Sequence, residues 1–192
     1  MSEETQKKEI KAIIGLGNPG SKYSWNRHNI GFRIINSLAK SFFVSWKSSE
    51  NMEVAQVRLN QDGGESTDVF TAGKMIYLIK PQTFMNSSGK VVPFLQKRGI
   101  SAENVLVIHD ELEKKFGQLS IRFGGSARGH NGLRSLISII GPKFWRFRFG
   151  IGRPDDRQEV SNYVLSNFTA EEEEQMPSFV ESAVNQIKEF CE

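Results

Sequence analysis

Cysteine is almost absent: Cys191, next to the C-terminus, is the single one in 192 residues. That excludes a disulfide framework and a thiolate zinc site, and it suits a reducing compartment. Long apolar runs are also lacking, since none approaches the roughly 20 residues of a membrane span. The opening MSEETQKKE has no apolar core of the kind a secretion signal needs. The expectation is a cytoplasmic protein with no membrane association. A hydrophobic share of 38% and a charged share of 24% are ordinary for a globular chain. The length suits one domain over residues 1–192, with residues 1–9 flexible.

Acidic residues are missing from two stretches. None lies between Glu9 and Glu50, and none between Gly117 and Arg153, which holds seven basic side chains. The sign then reverses, because Pro154 to Glu192 carries ten carboxylates against Arg157 and Lys188. A basic stretch free of acids is what a polyanion-binding surface requires: each Lys or Arg displaces a counterion from a phosphate and no neighbour cancels it. The glycines and aromatics interleaved there point to RNA or another phosphate-rich partner.

The first acid-free stretch holds GLGNPG, Gly15 to Gly20, behind the apolar run Ile10 to Ile14. The spacing matches a dinucleotide-binding loop, but such a loop needs a helix opening on its third glycine and a carboxylate about 20 residues later. Neither is present. Asn18 and His28 stand there instead, with helical periodicity starting only near Asn29.

Apolar runs at Ile10 to Ile14, Glu53 to Leu59, Asp68 to Thr71, Met75 to Ile79, Val105 to Ile108, Leu119 to Phe123 and Phe144 to Ile151 predict strands. Helical stripes lie between them: Ile30, Ile34, Ile35, Leu38, Phe42; then Val91, Val92, Leu95; then Leu133, Leu136, Ile137, Ile140. A last helix from about 169 begins with the capping-box pair Thr169 and Glu172. Asp62, Gly63 and Gly64 mark a hairpin turn, so part of the sheet is antiparallel. The order predicts an α/β fold, a single-domain three-layer sandwich with a twisted mixed β-sheet flanked by helices.

Ligands of open sheets gather at the carboxyl ends of strands. Asn18, Asn86, Asp110 and Asn131 each follow a predicted strand, and His28 stands before the first helix. Taken singly these are ordinary residues: amides favour turns and caps, and a histidine before a helix is usually a surface group. Their convergence makes them candidates. His109 and His130 are expected to be structural.

The stretches GLGNPGSKYSWNRHNIGF, KPQTFMNSSG, VIHDELE, GGSARGHNGLRSL and FRFGIGRP resemble, in order and spacing, the signature blocks of bacterial-type peptidyl-tRNA hydrolases. The resemblance runs from about Ala12 to the final helix. It implies a monomeric hydrolase, without cofactor or metal, that cleaves the ester joining a peptide to the 3′ ribose of tRNA. By that resemblance His28 is the general base, Asp110 its partner, and Asn18, Asn86 and Asn131 hold substrate and water, Asn86 beside the oxyanion. Tyr23, Phe84 and Met85 would border the terminal ribose and peptide. Arg122 and Arg148 would clamp the tRNA 5′ phosphate. The chemistry agrees with the residue types, since imidazole titrates near neutrality and carboxamides both donate and accept without charge. In the strand around FWRFRFG, alternation puts Arg146 and Arg148 on one face and Phe147 and Phe149 on the other.

The chain departs from the family pattern at Asn26, where Thr is usual, and at Arg128, where glycine is common. EKKFG, Glu113 to Gly117, lacks the usual prolines. A serine hydrolase is disfavoured because GGSARG puts Arg128 where a nucleophile elbow needs glycine. A zinc hydrolase is short of ligands. The remaining alternative is a non-catalytic RNA-binding factor on the same fold. The acidic final helix could also fold over the cleft as a lid, its carboxylates repelling RNA.

Overall fold

The computed structural model describes residues 9–59 and 73–192. The expected strand Asp68 to Thr71, the turn at Asp62 to Gly64, and most of the N-terminal segment expected to be flexible lie outside them. Among the described residues seven strands form one sheet: β1 (Ala12–Gly15), β2 (Lys47–Ser49), β3 (Met52–Leu59), β4 (Lys74–Pro81), β5 (Val105–Glu111), β6 (Leu119–Phe123) and β7 (Trp145–Gly150). Their order is β2-β3-β4-β1-β5-β7-β6. The central four run parallel, while β2, β3 and β6 pair antiparallel at the edges. The sheet is therefore mixed, as expected. β1, β4 and β5 read as continuous apolar runs because both of their faces are covered.

Five helices cover the sheet: α1 (Ile30–Ser41), α2 (Val92–Gln96), α3 (Asn131–Ile140), α4 (Val160–Leu165) and α5 (Ala170–Cys191). On one face, Ile30, Ile34 and Leu38 of α1 and Met176, Ala183 and Ile187 of α5 pack on Ile13, Leu106, Ile108, Phe147 and Phe149. On the other, Val92 and Leu95 of α2 and Leu133 and Leu136 of α3 pack on Ala12, Ile14, Val105 and Val107. Strand alternation sorts the side chains: Ile13 faces one layer, Ala12 and Ile14 the other. Each large buried apolar group contributes about 1.5–3 kcal/mol, so the two-sided sheet is the main source of stability.

The glycine motif now has a packing explanation. A Cβ on Gly15 would fall 2.5 Å from Gly31 O, and one on Gly31 would fall 2.6 Å from Ile108 O. The two glycines let α1 lie almost against the backbone of β1 and β5. That close approach brings the residues just before α1 to the carboxyl end of β5.

Candidate functional site

The turn preceding α1 is a short 3-10 helix, Arg27–Asn29, and all three of its residues are buried. Its backbone is tied to the link between α4 and α5: Arg27 N donates to Ser166 O at 3.0 Å and Asn26 Nδ2 to Asn167 Oδ1 at 2.8 Å. The Arg27 guanidinium lies over Tyr163 and Phe168 and donates to both oxygens of Glu172, at 2.9 and 2.7 Å. Glu172 also closes the capping box with Thr169. One turn on, Arg33 takes both oxygens of Glu173 at 2.6 and 2.8 Å. Of the acidic residues that open α5, Glu172 and Glu173 are thus paired with arginines, and no residue of α5 lines the cavity around His28.

His28 Nδ1 is 2.8 Å from Asp110 Oδ1, with both residues buried. Asp110 sits inside β5, not after it, and faces the α1 layer. Burial works against the protonated form of His28, yet the charge of Asp110 and the hydrogen bond to it prevail, so its pKa is raised. Burial likewise opposes ionised Asp110, but the imidazoles of His28 and His130 hold its pKa well below the carboxylate norm. Histidine 109, His109, is pushed down to about 3 by burial first and His130 second. It is a neutral ring whose Nδ1 meets Asp110 O at 2.7 Å.

His130, expected to be structural, caps α3 and also touches Asp110. Its Nε2 is 3.0 Å from Asp110 Oδ1, while Nδ1 accepts from Gly132 and Leu133 N–H at the start of α3. Its ring is 4.8 Å from that of His28. The signal in the sequence is slight: a histidine directly before a helix, next to an asparagine that looks the better cap. His28, Asp110 and His130 form the one His and carboxylate cluster, among the described residues, whose ligand-type atoms lie within 4.8 Å of one another. Hydrogen bonds direct both imidazoles at Asp110, an arrangement that suits a proton relay better than a cation.

Around this cluster opens a cavity of about 280 Å³ lined by His28, Asp110, Asn131, Arg122, Arg146 and Arg148, among others. Asn131 is the exposed first residue of α3. Arg122 is exposed and pairs across the strands with Arg146. Arg148 is half-buried, 3.6 Å from Glu111 Oε2. The alternation of β7 is as expected, with Phe147 and Phe149 in the core, but Arg146 does not point free to a phosphate. It is buried, and its guanidinium bonds Gly125 O and, at 2.6 Å, Ser126 O. Arginine thus holds the glycine loop in place. Arg128 in that loop has a φ of 45°, a left-handed geometry that strains a non-glycine residue by about 1–2 kcal/mol.

The other candidates do not line this cavity. Asn18 is buried, its Oδ1 accepting from Met85 N at 2.8 Å. Asn29, which sequence reading passed over, pins Asn18 twice: Oδ1 accepts from Asn18 N at 2.9 Å and Nδ2 donates to Asn18 O at 2.8 Å. Met85 is buried, and a Cβ on Gly132 would fall 2.5 Å from its Sδ. Asn86 is exposed. Tyr23 and Phe84 meet edge to face with centroids 6.2 Å apart, Phe84 being 59% exposed. They form an aromatic rim beside the loops that carry Asn18 and Asn86.

The family model described as peptidyl-tRNA hydrolase matches residues 12–192. The chain belongs to the peptidyl-tRNA hydrolase family. Membership makes it a hydrolase that acts on peptidyl-tRNA. It is 38% identical over 181 residues to the peptidyl-tRNA hydrolase of Syntrophotalea carbinolica, covering 93% of this chain and 89% of the relative. It is 40% identical over 159 residues to that of Wolbachia pipientis, with 82% and 81% covered. The crystal structure of the Acinetobacter baumannii peptidyl-tRNA hydrolase superposes with a TM-score of 0.84 at 35% identity, over 96% of this chain and 89% of that one. Hydrolases of this family thus share the fold. Among the described residues no helix is long and apolar enough to cross a membrane.

Proposed function

We propose that this chain cleaves the ester between the peptide and the 3′ ribose of tRNA by general-base catalysis from His28. The observation that carries the reading is the 2.8 Å contact between His28 Nδ1 and Asp110 Oδ1 in a buried setting. With Nδ1–H donated to Asp110, Nε2 keeps its lone pair for a proton. It takes one from a water molecule as the oxygen attacks the ester carbonyl carbon. The tetrahedral oxyanion then collapses, the bond to the 3′ oxygen breaks, and His28 returns the proton to that oxygen. Peptide carboxylic acid and tRNA with a free 3′ hydroxyl leave.

Charge develops on the former carbonyl oxygen, and uncharged amide donors stabilise it without holding it in the ground state. Asn86, exposed at the rim, fills this role. Asn18 has its Oδ1 taken by Met85 N–H, so what it offers the substrate is an Nδ2–H donor. Asn131, at the mouth of the cavity, positions water or substrate. Tyr23, Phe84 and Met85 border the terminal ribose and the first peptide residues. Arg122 and Arg148 bind the 5′ phosphate of the acceptor stem; such contacts position RNA without reading its bases. One copy carries every named group, so a monomer suffices, and the chemistry calls for no cofactor.

The test is release of labelled peptide from an N-blocked aminoacyl-tRNA by the wild type and by His28→Ala. Release by the first and near-complete loss in the second supports the reading. Binding of tRNA by the wild type with the ester left intact overturns it in favour of a non-catalytic RNA-binding factor.

A further inference from the structure

His130 Nδ1 lies 3.2 Å from Gly132 N and 3.3 Å from Leu133 N, two N–H groups in the first turn of α3. Backbone N–H groups only donate, so Nδ1 must accept and carries no proton. The neutral ring then bears its hydrogen on Nε2, 3.0 Å from Asp110 Oδ1. The same oxygen is 2.8 Å from His28 Nδ1. One carboxylate oxygen therefore accepts from two imidazoles. His130 is also the last residue of the glycine loop, whose carbonyls at Gly125 and Ser126 are held by Arg146. The loop has one anchor in the basic wall and another on the acid-base pair.

We propose that His130 is a positioning residue for hydrolysis: its Nε2–H draws on the Asp110 oxygen that serves His28, and so limits how tightly Asp110 holds a proton on the base. This rests on His28 being the general base. Two donors spread the negative charge of the carboxylate; with one removed, the whole of it acts on His28. A base that held its proton too firmly would be used up at neutral pH.

The other ionisable groups around the turn come from every neighbouring element, and most are engaged. From β5, Glu111 faces Arg148 and His109 is a neutral ring bonded to Asp110 O. From β7 and β6, Arg146 grips the loop and Arg122 stands exposed across from it. Tyr163 of α4 donates to Ile151 O at 2.6 Å. Arg27 of the turn and Arg33 of α1 are paired with Glu172 and Glu173 of α5. Asp110 is hydrogen-bonded to both rings.

Two substitutions separate the contact to Asp110 from the helix cap. His130→Asn keeps a good capping oxygen but is too short to reach Asp110; His130→Gln has the length to donate to Asp110 but caps poorly. In His130→Asn, the NMR titration midpoint of His28 and the acidic limb of kcat/KM are expected to rise by about 0.5–1 pH unit, with thermal stability near wild type. His130→Gln should restore both midpoints toward wild type. Wild-type midpoints in His130→Asn, or equal shifts in the two variants, would overturn the proposal. Nitrogen-15 spectra of the wild type give a check that needs no variant. The proposal requires His130 with Nε2 protonated and Nδ1 bare; the opposite tautomer refutes it. The NMR titration and the nitrogen-15 spectra do not depend on turnover: failure to release peptide would strike the catalytic reading, whereas an unmoved His28 midpoint in an active His130→Asn would strike this proposal alone.

Discussion

Two parts of one cleft are built from ionisable side chains and use them in opposite ways. In the first, His28, Asp110 and His130 are packed into the end of β5, where unlike partners sit 2.8 and 3.0 Å apart. In the second, Arg122, Arg146 and Arg148 come together from β6 and β7 with like charge, and the pKa of Arg146 is lowered by burial first and then by Arg122 and Arg148. The buried cluster is held by geometry and little screened by salt. The basic wall stores repulsion that an incoming phosphate relieves, in water, where salt competes. The difference separates chemistry from binding: one region should govern kcat and the other KM.

The largest expected effect breaks the first region. His28→Ala should lower kcat by about 10² to 10⁴-fold with tRNA affinity unchanged, measured by single-turnover release beside a binding titration. A matching loss of affinity would merge the two regions. Next, Glu172→Gln removes the partner of a buried guanidinium. Because Arg27 and Glu172 are both mostly shielded, the fold should lose about 3 kcal/mol, against about 0.5–1 kcal/mol for the more open Glu173→Gln. Urea midpoints decide this, and equal losses would show that burial is not what matters there.

In the basic wall, Arg122→Ala and Arg148→Ala should each raise KM with kcat preserved. Each should also flatten the slope of log affinity against log salt by about 0.7–0.9. Arg148 is expected to give the smaller change, because Glu111 already shares its charge. A further effect is on acid stability. His109 stays neutral when folded, its pKa lowered from 6.5 to about 3. Between those values the unfolded chain binds the extra proton, so stability falls as pH drops from 6.5 toward 3. His109→Asn should lose less stability than the wild type between pH 7 and pH 4.5.

Much of this was legible in the residues, for reasons that can be named. The stripe Ile30, Ile34, Ile35, Leu38 is plain because one helix face is buried, and the runs at β1, β4 and β5 are continuous because both sheet faces are. The mixed sheet followed from the turn signal and the alternation. Two elements were passed over. β2 is three polar, exposed residues at a sheet edge and leaves no apolar pattern, while α4 is six residues with none fully buried, too short for the spacing of Val160, Tyr163 and Val164 to stand out. The candidates His28 and Asp110 were visible as residue types at strand and helix boundaries. The contacts of His130 and Arg146 were not, because they depend on how the loop between β6 and α3 folds back. A glycine loop shows in a sequence; which carbonyls it turns toward an arginine does not. Asn29 was hidden for a similar reason, since its work is to pin the backbone of Asn18.

The central claim is that a neutral His28, held by Asp110, is the base. Its pKa is raised above 6.5 by that carboxylate against the pull of burial, and the base form is lost as pH falls through the raised value. The direct measurement is the pH dependence of kcat/KM for peptide release. A single acidic limb is expected with its midpoint above 6.5, shifted downward in Asp110→Asn. A rate that does not change with pH, or a midpoint at or below 6.5 that Asp110→Asn leaves in place, would contradict the account.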